Sequence, residues 1–326
     1  MIITRTPLRI SFLGGGSDFP AFYEEQEGLV LGATIQKYIY INVNEKFDQD
    51  VRVSYSKAEI VENSKLIKHD IARQVLLDYD IQNHFEISSM SDVPSNGTGM
   101  GSSSSYCAGL LKAVHYYKTG KILEDKILAE KTCQLEIEKL GKPIGKQDQY
   151  FAVYGGLISI RFSKKEISVK RINCKTKTYD ALQKNLFLVY TGINRSADDI
   201  LSVQEKNTRT NAQTKEAIGK IVDMAKLLEK DILEDNLSNF GALLDEAWKL
   251  KKKYAENISN PKIDDLYLFG KKNGASGGKL LGAGGGGFIL FYVSESEQER
   301  FLNNMNAFKV LPVRFSHTGS EIIFKQ

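Results

Sequence analysis

The sequence predicts two domains of mixed helix and strand, and three observations carry that expectation. The chain has 326 residues, enough to bury two cores. Short runs rich in β-branched and aromatic residues alternate with stretches whose apolar residues recur at helical spacing. Beyond residue 182 the pattern changes, and residues 196–255 read as mostly helical. The expected division is therefore residues 1–181 and residues 182–326.

Taken in order, residues 2–13 predict two short strands broken at Pro7, because proline gives a sheet no donor. Gly14-Gly15-Gly16 predicts a tight turn into Ser17 and Asp18, an N-cap pair for a helix over 19–26. Strands follow at 29–43 and 51–61, a helix at 69–80, and a strand at 85–88. Helices are expected at about 103–118 and 124–139, and strand resumes over 155–162. In the second half, residues 186–190 read as a buried strand. Ile218, Ile221, Val222, Ala225 and Leu228 form one apolar stripe of a helix, expected to face the core. A strand at 288–293, a helix at 295–306, and closing strands at 310–315 and 321–324 complete the chain.

A hydrophobic fraction of 42% and a charged fraction of 26% are those of an ordinary globular protein. The net charge of +4 is spread along the chain. Its densest basic run, Lys249 to Lys253, is expected on the solvated side of a helix. With no basic stripe interleaved with aromatics, nucleic acid is not an expected partner. Cys107, Cys133 and Cys174 make no Cys-x-x-Cys pair, and Cys107 reads as a small core residue. The four histidines lack metal-ligand spacing. No signal peptide pattern and no bilayer-spanning apolar run are read, so the expectation is a reduced cytoplasmic protein without a membrane partner.

Residues 94–104, Pro-Ser-Asn-Gly-Thr-Gly-Met-Gly-Ser-Ser-Ser, stand directly before an apolar helical pattern. Gly97, Gly99 and Gly101 let the backbone turn its N–H groups toward an anion. The helix start adds free donors and the positive end of its dipole. The hydroxyls of Ser102, Ser103 and Ser104 suit phosphate oxygens or a magnesium ion. The stretch predicts a nucleotide phosphate cradle, although it lacks the lysine of a Walker A loop. Read alone it would equally serve as a Gly/Ser linker; the helix behind it and two partner segments count against that.

The first partner segment is Gly282-Ala283-Gly284-Gly285-Gly286-Gly287. It matches Gly-x-Gly-x-x-Gly in form but runs into the strand pattern 288–292, where a dinucleotide fingerprint must open a helix. Gly284, Gly285 and Gly286 can instead press backbone against another loop or against phosphate. The second is Gly145-Lys146-Gln147-Asp148-Gln149-Tyr150, with Glu136 twelve residues before the aspartate. Beside a phosphate loop, two carboxylates suit kinase chemistry: one holds magnesium and one takes the proton of the acceptor hydroxyl. Alone, Asp148 would more often be a turn or capping residue, and Glu136 an exposed helix residue.

Together, residues 7–18 (Pro-Leu-Arg-Ile-Ser-Phe-Leu-Gly-Gly-Gly-Ser-Asp), the 94–104 loop and residues 279–288 (Lys-Leu-Leu-Gly-Ala-Gly-Gly-Gly-Gly-Phe) resemble the three motifs of the GHMP kinases. These are the galactokinase, homoserine, mevalonate and phosphomevalonate kinases. Order and separation match over nearly the whole chain, and residues 144–150 and 190–197 are similar to the sugar-1-kinase branch. The resemblance implies an α+β protein of two domains with the active site in the cleft between them. The N-terminal, ATP-binding domain would contain a left-handed βαβ unit, an exception to the usual handedness. The C-terminal domain would be ferredoxin-like with added helices.

The same resemblance implies roles for single residues. Asp148 matches the catalytic aspartate, and Arg9 the basic residue that keeps it a carboxylate. Ser103 and Glu136 match the magnesium-linked serine and glutamate, and Asp18 a sugar-binding aspartate beside Gly15 and Gly16. Two departures stand out. The span from Pro94 to Gly99 is one residue longer than usual, and Gly15-Gly16 replace the Glu-His of galactokinases, which counts against galactose.

The implied reaction is in-line transfer of the γ-phosphoryl group of ATP, with Mg2+, to the anomeric hydroxyl of a sugar. D-glycero-D-manno-heptose 7-phosphate is the acceptor implied, for nucleotide-heptose and surface polysaccharide synthesis, with L-fucose as the alternative. A sugar phosphate needs a cation at its far end, for which Arg195 and Lys146 are candidates. A non-catalytic sugar-binding regulator is the reading from another class. Loss of Asp148, Glu136 or Ser103 would signal it, and all three are present. A homodimer is compatible with the resemblance.

Overall fold

In this computed structural model the described residues are 1–94, 97–194 and 197–326. The chain runs β1 (Ile2–Leu13), α1 (Pro20–Tyr23), β2 (Gly28–Glu45), β3 (Val51–Ser54), β4 (Ala58–Val61), α2 (Asp70–Asp78) and β5 (Phe85–Ser91). Next come α3 (Ser102–Thr119), α4 (Asp125–Cys133), α5 (Gln147–Tyr154), β6 (Leu157–Phe162) and β7 (Ile167–Arg171). There follow α6 (Thr176–Lys184), β8 (Leu186–Tyr190), α7 (Ala197–Thr210), α8 (Ala212–Leu233), α9 (Phe240–Lys251) and α10 (Pro261–Lys272). The last elements are β9 (Ala275–Leu280), β10 (Phe288–Val293), α11 (Gln298–Asn304), β11 (Val310–Pro312) and β12 (Glu321–Lys325).

The first sheet is built on the antiparallel pair β1–β2. β1 is one strand where two were expected. Its partners jump from Tyr38 at Pro7 to Ile35 at Leu8, so the proline occupies an irregularity and the ladder resumes after it. The 18-residue β2 serves two neighbours: Gly28–Ala33 pairs with β6, and Ile39–Glu45 with β5. β5 runs parallel to β3, β4 closes the edge as a hairpin with β3, and β7 extends β6. The 51–61 segment is thus a hairpin and not one strand. β12 returns to pair with the outer edge of β1.

Ser17 and Asp18 do not cap the helix that follows them. α1 is four residues long with Phe19 as its N-cap and Pro20 opening it. Ser17 Oγ donates to Gly14 O at 2.7 Å and accepts from Leu29 N at 3.1 Å, stitching the glycine turn to β2. Asp18 is turned inward instead.

The second sheet has the order β11-β8-β10-β9, entirely antiparallel. Numbered within the unit this is 4-1-3-2, the ferredoxin-like βαββαβ arrangement, with α7 to α10 in place of its first helix. α9 lies on β9 and also touches β1, while α8 packs on β2. The apolar stripe Ile218, Ile221, Val222, Ala225 and Leu228 is buried there. Phe12 of β1 meets Phe240 of α9 edge-on at 5.2 Å. One apolar core therefore joins the two sheets and fixes the cleft between them. Among the described residues no helix is long and apolar enough to cross a membrane.

Candidate active site

Three segments remote in sequence meet in a cleft of about 660 Å³. Its floor is the glycine loop before α3. Gly97, Gly99 and Gly101 have φ of 69°, 72° and 75°, so every second residue is left-handed and adopts what only glycine takes at no cost. The turn ends at the N-terminus of α3, whose first-turn residues Ser102, Ser103 and Ser104 line the cleft. Arg9 N donates to Met100 O at 3.0 Å, and Ser105 Oγ to Pro7 O at 2.8 Å, so β1 holds the loop in place.

The wall above the floor is the 282–287 loop. Gly282 rests directly on Gly99, and a Cβ on either would meet the other loop's backbone. Gly284 packs on Ile258 and Gly286 on Ile193, while Gly285 N donates to Ile258 O at 2.9 Å. These three expected residues build the loop without lining the cleft; Gly282 and Ala283 line it.

Arg9 and Asp148 form a bidentate pair. Nε donates to Oδ1 and Nη2 to Oδ2, both at 2.7 Å, and the remaining Nη1 donates to Gly99 O. Arg9 is 4% exposed, whereas the Asp148 side chain keeps 24%, its open side facing the cleft beside Gly101. A charged fork of this kind orients a carboxylate and favours its ionised form.

Asp18 is 1% exposed and accepts from Gly16 N at 3.0 Å, Gln147 N at 3.1 Å and Gln147 Nε2 at 3.0 Å. Burial, and then the charge of Asp148, push its carboxyl above the usual range against those three bonds. Gly15 and Gly16 line the same end of the cleft.

Glu136 is fully buried behind Ser103 and Ser104 and does not itself line the cleft. Ser103 Oγ and Ser104 Oγ donate to its two oxygens at 2.6 Å each, and Gln149 Nε2 donates at 2.9 Å. Lys142 Nζ lies 3.7 Å from Glu136 and donates to Ser103 Oγ at 3.0 Å. Of the three serines only Ser103 is exposed; Ser102 Oγ is within 3.2 Å of Thr98 Oγ1. Among the described residues no group of three or more His, Cys, Asp or Glu could hold a metal ion. One carboxylate with a hydroxyl, all hard oxygen, suits a Mg2+ ion that takes its other ligands from phosphates and water. An ammonium already standing beside Glu136 marks the spot as hospitable to positive charge.

One expected substrate residue is not brought in. Lys146 lies outside the cleft, with Nζ over the Tyr23 ring at 5.7 Å, because the turn before α5 directs Gln147 and Asp148 inward. Arg195 lies outside the described residues.

Sequence reasoning missed Lys251 and Lys279, both buried and both lining the cleft. Lys251 was expected among solvated lysines. A helical signal was available: it follows Phe240, Leu244 and Ala247 at steps of four, three and four, on the buried face of α9. Its Nζ donates to Gly282 O. Lys279 Nζ donates to Ser11 O at 3.0 Å, tying β9 to β1.

Comparison with known proteins gives a consistent picture. The GHMP kinases N terminal domain matches residues 64–156, and the GHMP kinases C terminal domain residues 224–310. A D-glycero-alpha-D-manno-heptose 7-phosphate kinase of Campylobacter jejuni is 31% identical over 91% of both chains. A bifunctional fucokinase/GDP-fucose pyrophosphorylase of Arabidopsis thaliana is 25% identical over 91% of this chain, which spans 30% of that longer protein. Among solved structures, a D-glycero-D-manno-heptose 1-phosphate kinase from Bacteroides thetaiotaomicron superposes over the full length of both chains, with a TM-score of 0.80 and 25% identity.

Proposed function

The chain belongs to the GHMP kinases, and from that membership we propose that it phosphorylates the anomeric hydroxyl of D-glycero-D-manno-heptose 7-phosphate, using ATP. The observation that carries a phosphotransferase reading is the Arg9–Asp148 fork facing a left-handed glycine loop at a helix N-terminus. Similarity to the heptose relatives over the whole chain supports the acceptor. The same reading divides the chain at residue 182, with β12 returning to the first domain's sheet.

In this mechanism the N–H groups of the 97–101 loop and of the start of α3 bind the transferring phosphates. Asp148 accepts a hydrogen bond from the sugar hydroxyl and takes its proton as the new P–O bond forms and the bond from the γ-phosphorus to the bridging oxygen breaks, releasing ADP. Asp18 orients a neighbouring sugar hydroxyl, its carboxylate already held by Gln147. Mg2+, held through Glu136 and Ser103, would neutralise charge on the phosphate oxygens. Arg195 retains the distal phosphate role by its place in the sequence beside Asn194, which lines the cleft.

L-fucose is the second reading, favoured by the similarity to the fucokinase domain. A regulator without catalysis is disfavoured by the intact set: Asp148 and Ser103 line one cleft, and Glu136 is bonded to Ser103.

A coupled ADP-release assay over sugars and sugar phosphates tests the acceptor. The heptose 7-phosphate should give a kcat/KM about tenfold to a hundredfold above free heptose or fucose, since a charge-assisted phosphate contact contributes about 1.5–3 kcal/mol. Phosphorus NMR should place the new phosphate at C1. Fucose turned over equally well or better would overturn the heptose assignment and leave the sugar-1-kinase class standing.

A further inference from the structure

The glycine loop has no lysine, yet nucleotide phosphates ordinarily meet one. We propose that Lys251, carried by α9 on the far wall of the cleft, supplies that missing cation and binds the γ-phosphate of ATP during transfer. This rests on the ATP-kinase reading and is independent of which sugar is the acceptor.

The geometry is specific. Lys251 is 8% exposed, lines the cleft, and bonds a single backbone carbonyl, Gly282 O. That carbonyl belongs to the loop resting on Gly99, so the ammonium is held beside the floor on which phosphates would lie. Among the described residues Lys251 has no carboxylate within ion-pair distance, whereas Arg9 is matched by Asp148 and Lys142 by Glu136. A buried ammonium without a counter-ion is costly, and a phosphate arriving in the cleft would offset that cost. The cations nearest to it, Arg9 of β1 and Lys279 of β9, add to the positive field, and Asp18 and Asp148 oppose it from the sugar end. Burial first, and then the Arg9 charge, bring the Lys251 ammonium down to about 8, so an arriving phosphate would firm its hold on the proton.

A phosphate-binding lysine and a merely structural one separate in nucleotide affinity. Calorimetric titration of K251M with Mg·AMPPNP and with Mg·ADP, neither of which requires an acceptor, should show AMPPNP weakened about tenfold or more and ADP within about twofold. With whichever sugar the acceptor screen identifies, kcat should fall by about a hundredfold, the scale of losing one charge-stabilising donor. K251R should recover part of both losses. Should K251M not fold, K251Q, which can still donate to Gly282 O, takes its place under the same criteria. Equal weakening of AMPPNP and ADP, or no weakening of either, would overturn the proposal. So would a loss confined to the KM of phosphorylated sugars, which would move Lys251 to the acceptor's own phosphate. Failure of the heptose assignment alone leaves all these measurements intact.

Discussion

Asp148 depends on Arg9 as much as on its own carboxylate. The fork fixes both oxygens at 2.7 Å and leaves the side chain partly open to the cleft. Replacing Asp148 by Asn keeps the shape and removes the carboxylate to which we assign the proton. We expect kcat to drop by about a hundredfold or more while AMPPNP affinity stays within about threefold. Steady-state kinetics with calorimetry on D148N check this, and near-normal turnover would take Asp148 out of the chemistry. Single residues were legible to different depths. The alternate glycines are announced by their own spacing, whereas Asp148, Arg9 and Asp18 are singled out only through the resemblance of the motifs that contain them. Lys251 hides in a run of lysines whose other members point to solvent, and only its phase against Phe240, Leu244 and Ala247 distinguishes it. Lys146 shows the reverse: adjacency to Gln147 suggested a place in the cleft, and one turn of backbone sends it to Tyr23.

Elements made of strong periodic pattern were readable. β8 and β10 fall where their apolar runs predict, and α3 within a residue of expectation. β9 was not, since Ala-Ser-Gly-Gly-Lys-Leu has neither β-branched nor aromatic residues. It is a strand because Gly277 lies flat against the backbone of Gly241 in α9, a contact that no local signal reveals. The helix expected over 124–139 changes type within its length, α-helical to Cys133 and π-helical over Gln134–Lys139. A π turn shifts the phase of the face that follows it, and here Leu135 and Glu136 are both buried. That turn delivers the carboxylate to Ser103 and Ser104. E136Q keeps the size of the side chain, removes the charge that a cation needs, and turns one of its two accepting oxygens into a donor. Its half-maximal Mg2+ concentration at fixed ATP should rise several-fold, and an unchanged magnesium titration would reduce Glu136 to a structural hub.

At the level of the molecule, the return of β12 to β1 binds the two halves together. Thr6 Oγ1 and Ser320 Oγ are 2.9 Å apart, Lys112 of α3 donates to Ser320 O, and Arg5 pairs with Glu321 at 3.0 Å. Deleting residues 318–326 strips the outer edge of β1, the strand that carries Arg9 and anchors the glycine loop. The truncated protein should lose several degrees of Tm, read by calorimetry, and a larger fraction of kcat than of ADP affinity. An unchanged Tm would mean that β1 needs no partner there. The pairing also sets a clock. Arg5 and Glu321 are separated by 316 positions, which a ribosome spans in about 15–60 s at roughly 5–20 residues per second. Throughout that interval β1 has been made and its final neighbour has not, so a growing chain carries an open sheet edge of the kind that recruits other strands. Yield of active protein should therefore be sensitive to translation speed and to holdase chaperones, a kinetic vulnerability written into the strand order of the finished fold.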